Sequence, residues 1–384
     1  MKPKILYLVT EDWHFCLHWL HICRGARDAG YDVVVATRVH EHGGKITQEG
    51  FKLIPITMQR RGINPFYEGR DIWNLIKLFK EERPLIVHNM TLKPVIYGSL
   101  ASLLTRIPAT VNTLAGAGHI FLSHTLKARI LRPFIEAALR ISFNRENSRV
   151  IVMNPDDCQV YAKSAGLKPD KVVIIRGVGV DVNKFQSIPE PQGEPVVTLV
   201  GRMLWEKGIG ELVEASRLLK ESGDRCRVVL VGKPDPENSS SIAKEQLMQW
   251  HNSGIIEWWG YNDDIPSIWE RSHIAILPSY SEGLPTTLIE AAASGRPIIA
   301  TNVPGCREIV RHGENGILVP VRNADALANA IRRLIRDPEL RQTMGRRGRE
   351  LTVNEFSAEK VSEETLAVYQ ELCNLTGAEH SAGS

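Results

Sequence analysis

The sequence predicts an α/β protein built as two doubly wound domains, each a parallel sheet with helices packed against it. Three observations predict this. The chain has 384 residues, too many for one ordinary core. Short β-branched runs alternate with amphipathic stretches almost throughout. A proline-rich break, Ser-Ile-Pro-Glu-Pro-Gln-Gly-Glu-Pro over 187–195, separates two such series.

In the first series the strand-like runs are 4–9, 32–37, 52–56, 85–88, 109–113, 150–153 and 172–176, with helical stretches such as 17–29 and 69–82 between them. The second series starts afresh at 195–201 and continues through 227–232, 255–261, 274–278, 297–300 and 316–319. Residues 324–375 read as helices only, and the small polar residues 377–384 as a frayed tail. The expected boundaries are therefore a first domain over 1–186, a linker over 187–195 and a second domain over 196–355. A helix over 356–376 and a flexible tail over 377–384 follow.

Composition narrows the function. Apolar residues at 43% and charged residues at 24% exclude a disordered chain and a collagen. The six cysteines form no C-x-x-C pair, which argues against a structural zinc site and fits a reducing compartment. No apolar run approaches the roughly 18–20 residues of a spanning helix, and the opening residues lack a secretory-signal pattern. The net charge of +3 conceals an asymmetry: residues 1–185 carry 26 Lys+Arg against 16 Asp+Glu, the remainder 21 against 28. A basic first half points to an anionic partner. No basic motif interleaved with aromatics supports nucleic acid.

Two segments carry chemistry. The run 196–200 ends in Gly201-Arg202-Met-Leu-Trp-Glu-Lys207-Gly208. Glycine at a strand end lets backbone approach a ligand closely, and the planar fork of Arg202 with the point charge of Lys207 suits a diphosphate. The second segment is Ser281-Glu282-Gly283-Leu284-Pro285-Thr286-Thr287, followed by Glu290. It reads as a strand, a turn and a helix with Pro285 at its first position, so the amides of Gly283, Leu284, Thr286 and Thr287 offer an oxyanion or hydroxyl site. Glu282 precedes that helix, and the Glu290 carboxylate could accept two hydrogen bonds from a ribose diol.

Gly201-Arg202…Lys207-Gly208, Glu282-x7-Glu290, Gly295-Arg-Pro-Ile-Ile-Ala-Thr…Pro304-Gly-Cys-Arg-Glu308 and Asn315-Gly-Ile-Leu-Val319 occur in that order. Together they resemble the retaining GT-B glycosyltransferases of family four. The opening segment 10–18, the run Met153-Asn-Pro-Asp-Asp157 and Gly177-Val-Gly-Val-Asp181 are similar to bacterial members that build cell-surface polysaccharides, among them O-antigen, capsule and exopolysaccharide.

The resemblance implies a GT-B fold, two Rossmann-like domains facing each other across a cleft, with the last helix crossing back to the first domain. It implies a metal-independent, retaining hexosyl- or N-acetylhexosaminyltransferase with no cofactor. The substrates would be a nucleotide-sugar, a UDP-sugar by family frequency, and a polyprenyl-diphosphate-linked or oligosaccharide acceptor. Arg202 and Lys207 would hold the diphosphate, Glu282 the donor sugar and Glu290 the ribose, with Gly201 and Gly232 close to the nucleotide. Acceptor or sugar contacts would come from His18 or from Gly116, Gly118 and His119. Two departures stand out: Thr10-Glu-Asp-Trp replaces the frequent Gly-Gly turn, and His119 is displaced from the usual acceptor-loop position.

The stretch 124–143 mixes Lys127, Arg129, Arg132 and Arg140 with large apolar residues. Such a helix lies on an anionic membrane or packs on the core with a solvated basic side. The expected location is cytoplasmic, on the inner membrane face. Two alternatives of the same architecture are a UDP-sugar epimerase and a catalytically silent sugar-nucleotide-binding subunit.

Overall fold

The computed structural model describes residues 2–59, 65–114 and 126–377. Two compact units emerge: one runs to Gly179 and resumes at Ala358, and the other is Val180–Ser357.

The first unit carries strands β1 (Lys4–Glu11), β2 (Asp32–Arg38), β3 (Lys52–Pro55), β4 (Ile86–Met90), β5 (Ala109–Leu114), β6 (Ser148–Val152) and β7 (Val172–Ile174). Its helices are α1 (Asp12–His18), α2 (Leu20–Asp28), α3 (Gly43–Gln48), α4 (Pro65–Glu82), α5 (Leu92–Thr105), α6 (Leu126–Phe143) and α7 (Pro155–Ala165). All pairings are parallel, in the order β3-β2-β1-β4-β5-β6-β7. Ile5 to Val9 are fully buried because β1 is central and covered on both faces, which is why its sequence is continuously apolar rather than alternating. The Met153–Asp157 motif is a helix start: Asn154 caps α7 by accepting the Asp157 N–H at 2.7 Å, and Gly166 ends the helix in the left-handed region.

The second unit repeats the plan with β8 (Val196–Val200), α8 (Ile209–Glu221), β9 (Arg227–Val231), α9 (Lys244–Asn252), β10 (Glu257–Trp258), α10 (Ile265–Glu270) and β11 (Ile274–Leu277). There follow α11 (Thr286–Ala293), β12 (Ile298–Thr301), α12 (Pro304–Ile309), β13 (Gly316–Val319), α13 (Ala324–Arg336) and α14 (Pro338–Leu351). The order is β10-β9-β8-β11-β12-β13. The strand order reverses between β8 and β11, and a doubly wound sheet binds ligands beyond the carboxyl ends of strands at such a point.

Two expectations change. The proline-rich stretch 187–195 lies inside the second unit, and the chain crosses between units at Gly179/Val180. There the Val180 N–H donates to Phe356 O at 2.9 Å, so the outgoing and returning segments run side by side as a parallel bridge. The run 255–261 forms only the two-residue strand Glu257–Trp258.

The final helix, α15 (Ala358–Leu375), belongs to the first unit and packs on α2. Its buried face is tied by a polar chain. Tyr369 OH donates to Tyr7 OH at 3.1 Å, and its oxygen lies 2.6 Å from His88 Nδ1. His88 Nε2 is 2.6 Å from Thr113 Oγ1, so a neutral ring donates through Nδ1–H and accepts from the threonine hydroxyl. Burial pushes the His88 pKa down to about 3. Arg149 and Glu371 add an ion pair across the same junction. Among the described residues, no helix is long and apolar enough to cross a membrane.

The folded pKa of His88 lies below the ordinary value of 6.5, so the unfolded chain binds more protons between about pH 3 and 6.5. The His88 contribution is therefore complete above that window and is lost as pH falls through it. Urea denaturation of wild type and His88→Gln should show the wild-type advantage shrinking by about 2 kcal/mol between pH 7.5 and 5. A difference independent of pH would contradict the neutral buried ring.

Candidate functional site

At the carboxyl ends of β8, β9 and β11 three loops meet with almost no side chain between them. Gly232, just past β9, adopts φ +147°, and a Cβ there would lie 1.8 Å from Gly201 O. The approach is fixed by backbone hydrogen bonds: Gly201 N–H to Val231 O at 3.0 Å, Met203 N–H to Lys233 O at 3.1 Å and Gly232 N–H to Gly260 O at 2.7 Å. Trp258 Nε1 donates to Gly232 O at 2.9 Å. Gly201 itself faces open space where a Cβ would stand, leaving room for a ligand against bare backbone.

Gly208 caps α8 with φ +71°, and a Cβ there would meet Pro278 O at 2.1 Å. This brings the turn Trp205–Lys207 against the loop leaving β11. Tyr280 N–H and Ser279 Oγ both donate to Glu206 O, at 2.9 and 3.1 Å, and Thr301 Oγ1 donates to Ser279 O. Gly305, opening α12, lets that helix approach the peptide oxygens of Glu282 and Gly283, 2.7 and 2.3 Å from where its Cβ would stand.

These contacts bring Lys207 and Glu282 together. Lys207 Nζ lies 2.5 Å from Glu282 Oε1, and the side chains are only 19% and 11% exposed. Arg202 takes a different partner: its Nη1 is 2.9 Å from Asp235 Oδ2, in the turn after β9. The two cations that the sequence suggested would converge are thus each held by a separate carboxylate. Asp235 also initiates a turn, accepting the Asn238 N–H on its carbonyl at 2.8 Å. A diphosphate entering between the loops can replace both carboxylates as cation partner, so less desolvation remains to be met on binding.

Helix α11 begins one residue later than expected: Pro285 is the N-cap, in extended conformation, and Thr286 is the first helical residue. The N–H groups of Thr286 and Thr287 open the helix and have no intrahelical acceptor by position. Thr287 Oγ1 is shut off from solvent and has no hydrogen-bond partner among the described residues. Leu284 is half-buried against the core that holds Leu288 and Ile289. Glu290 lies on the same helix. Burial among apolar neighbours pushes its pKa up to about 7, opposed in part by Lys184. Its carboxylate makes no hydrogen bond among the described residues, so it sits ready to accept donors from a ligand.

In the first unit, His18 ends α1, its ring 4.8 Å from that of His14, and burial lowers its pKa to about 4. The Thr10–Trp13 departure proves structural: the fully buried Asp12 carboxylate accepts the N–H groups of His40 at 2.7 Å and His42 at 2.9 Å. Gly116, Gly118 and His119 lie outside the described residues, as does the beginning of the 124–143 stretch.

The profile of the family described as "Glycosyl transferase 4-like" matches residues 4–154, and that of "Glycosyl transferases group 1" matches 181–351. The chain belongs to the GT4-like, group 1 glycosyltransferases. It is 28% identical over 338 residues to the N,N'-diacetylbacillosaminyl-diphospho-undecaprenol alpha-1,3-N-acetylgalactosaminyltransferase of Campylobacter jejuni, covering 85% of this chain and 87% of that protein. It is 26% identical over 311 residues to the UDP-Gal:alpha-D-GlcNAc-diphosphoundecaprenol alpha-1,3-galactosyltransferase of Escherichia coli, covering 78% and 79%. The solved sucrose-phosphate synthase of Thermosynechococcus elongatus superposes with a TM-score of 0.79 at 21% identity, over 97% of this chain and all of that one. The GT-B fold follows from these matches.

Of the residues singled out in the sequence, Lys207 and Glu282 meet and Glu290 lies on the helix that follows; the parts played by Gly208, Asp235 and Gly305 were not read there. Gly208 and Gly305 stand inside the quoted motifs, and their roles show only once Pro278 and Gly283 come against them. Gly232→Ala should destabilise the second unit by about 2 kcal/mol or more, because both its φ and its space exclude a side chain. Gly210→Ala, in α8 with nothing closer than 3.4 Å, should be neutral or stabilising. Equal urea midpoints for the two variants would contradict the loop geometry.

Proposed function

We propose that this glycosyltransferase moves a hexosyl or N-acetylhexosaminyl group from a UDP-sugar to a polyprenyl-diphosphate-linked sugar in bacterial surface polysaccharide synthesis. Configuration at the anomeric carbon is retained, and no metal ion takes part. The observation that carries the reading is the Lys207–Glu282 pair beside bare backbone at the switch point of the second unit. The names of the Campylobacter and Escherichia relatives support the class of acceptor, and that of the second supports a UDP-sugar.

On donor entry the diphosphate takes Lys207 and Arg202 from Glu282 and Asp235. The two cations then stabilise negative charge as the bond from the anomeric carbon to phosphate oxygen breaks, a preorganised electrostatic role. Glu282, released, accepts hydroxyls of the donor sugar. The Gly283–Thr287 amides and the Thr287 hydroxyl orient sugar and phosphate, and Glu290 accepts from the ribose diol. The acceptor hydroxyl attacks the face from which the phosphate departs and gives its proton to a phosphate oxygen. Contacts with the acceptor or the donor sugar are assigned to His18 and to Gly116, Gly118 and His119.

Peripheral contact with an anionic membrane belongs to this reading. It draws support from α6, where Phe134 and Ile141 are 73% and 59% exposed on the helix that carries Arg132 and Arg140.

Glu282→Ala should lower turnover at least about 100-fold while the protein still unfolds in one cooperative transition, at a reduced midpoint because Lys207 loses its partner. Wild-type turnover should persist in excess EDTA. Undiminished turnover in Glu282→Ala would end the donor-site assignment, and loss of activity with chelator, restored by a divalent cation, would end the metal-free mechanism.

A further inference from the structure

The second unit contains a cavity of about 630 Å³ at the end of the sheet opposite the glycine loops. It is walled by the 187–193 segment, by His273 and Arg296, which precede β11 and β12, and by Arg341 and Arg346 on α14. It therefore lies at the amino ends of the strands, whereas the donor residues stand at their carboxyl ends.

The charges around it do not balance. Glu190 is the one carboxylate among the lining residues, and Arg341 already takes it in a bidentate pair at 3.0 and 2.9 Å. Arg341 Nη1 is used as well, on Leu334 O and Ile335 O. Arg296 is 1% exposed yet meets no carboxylate: Nε donates to Trp269 O at 2.9 Å and Nη2 to Pro189 O at 3.3 Å. Its third nitrogen, Nη1, has no hydrogen-bond partner among the described residues. Arg346 is exposed at the rim and forms no ion pair among the described residues. His273 accepts the Val196 N–H on Nδ1 at 3.0 Å and stays neutral.

Glu190 and Glu270 act on Arg296 only at a distance, and a buried guanidinium that touches no carboxylate gains from an anion that meets it directly. Three arginines against one lining glutamate leave the cavity with excess positive charge, which suits an anion, and Arg in particular fits the geometry of phosphate oxygens. The volume is within the ordinary range for small-molecule sites. We propose that this cavity is a second site, separate from the glycine loops, that binds a phosphate group, either inorganic phosphate or the phosphomonoester of a small sugar. Arg296 and Arg346 hold the anion, and the 187–193 backbone closes over it.

The test is calorimetric titration of inorganic phosphate and of glucose 6-phosphate at constant ionic strength, with excess UDP present to occupy the glycine-loop site. Wild type and Lys207→Ala should both give saturable heats with at least one probe, and Arg346→Glu should weaken binding at least about tenfold. Arg346 is exposed, so this variant keeps its fold, which its urea midpoint checks. Binding of phosphate alone identifies the free anion as ligand, and tighter binding of glucose 6-phosphate identifies a phosphorylated sugar. The proposal is overturned if neither probe gives a saturable heat, if Arg346→Glu binds like wild type, or if binding vanishes in Lys207→Ala.

Discussion

The site depends on one constraint: backbone must meet backbone where the loops leaving β8, β9 and β11 converge. Gly232 against Gly201, Gly208 against Pro278 and Gly305 against Gly283 are three such contacts, and none admits a Cβ without displacement. Because backbone meets backbone at these points, the open face of Gly201 remains available to a ligand. A phosphate then meets rigid dipoles rather than mobile side chains, and little ordering is left to be done on binding. The glycines thus serve the chemistry by what they leave out.

Electrostatics completes the arrangement. Each of the two cations proposed to meet the diphosphate has a carboxylate partner, Asp235 for Arg202 and Glu282 for Lys207. These partners keep the cations from standing uncompensated, and in the proposed binding step they give way to a ligand of higher charge. Glu290 is handled in the opposite manner: it is shielded among apolar side chains, without a protein hydrogen bond, and its pKa rises to about 7. A carboxylate of this kind gains more from a diol than a solvated one does, because the diol supplies the hydrogen bonds that burial removed.

Much of this was legible in the sequence. Parallel central strands read as unbroken apolar runs, so β1, β8 and β11 could be placed to within a residue or two. The candidate donor residues stand out because they sit in short contiguous motifs at strand ends. Other features depend on residues distant in sequence. Lys207 meets Glu282 across 75 positions, and Glu190 meets Arg341 across 151. The linker was misplaced for the same reason. Its prolines mark irregular backbone, but Arg296 and Arg341 hold that stretch within the second unit. The true crossing lies at Gly177-Val-Gly179, where both glycines take positive φ and a Cβ on Gly179 would strike Ala358. Asp12 is a further case: the sequence marked its segment only as a departure from a Gly-Gly turn, and its carboxylate pins the loop after β2.

The central claim is that a nucleoside diphosphate binds at the glycine loops through Lys207. Calorimetric titration of UDP into wild type and Lys207→Ala, both in excess chelator, tests it most directly. The account predicts saturable binding to wild type, weakened at least about tenfold by the substitution, in keeping with loss of a charge-assisted hydrogen bond. Equal affinity in the two proteins, or no binding to wild type, would contradict it.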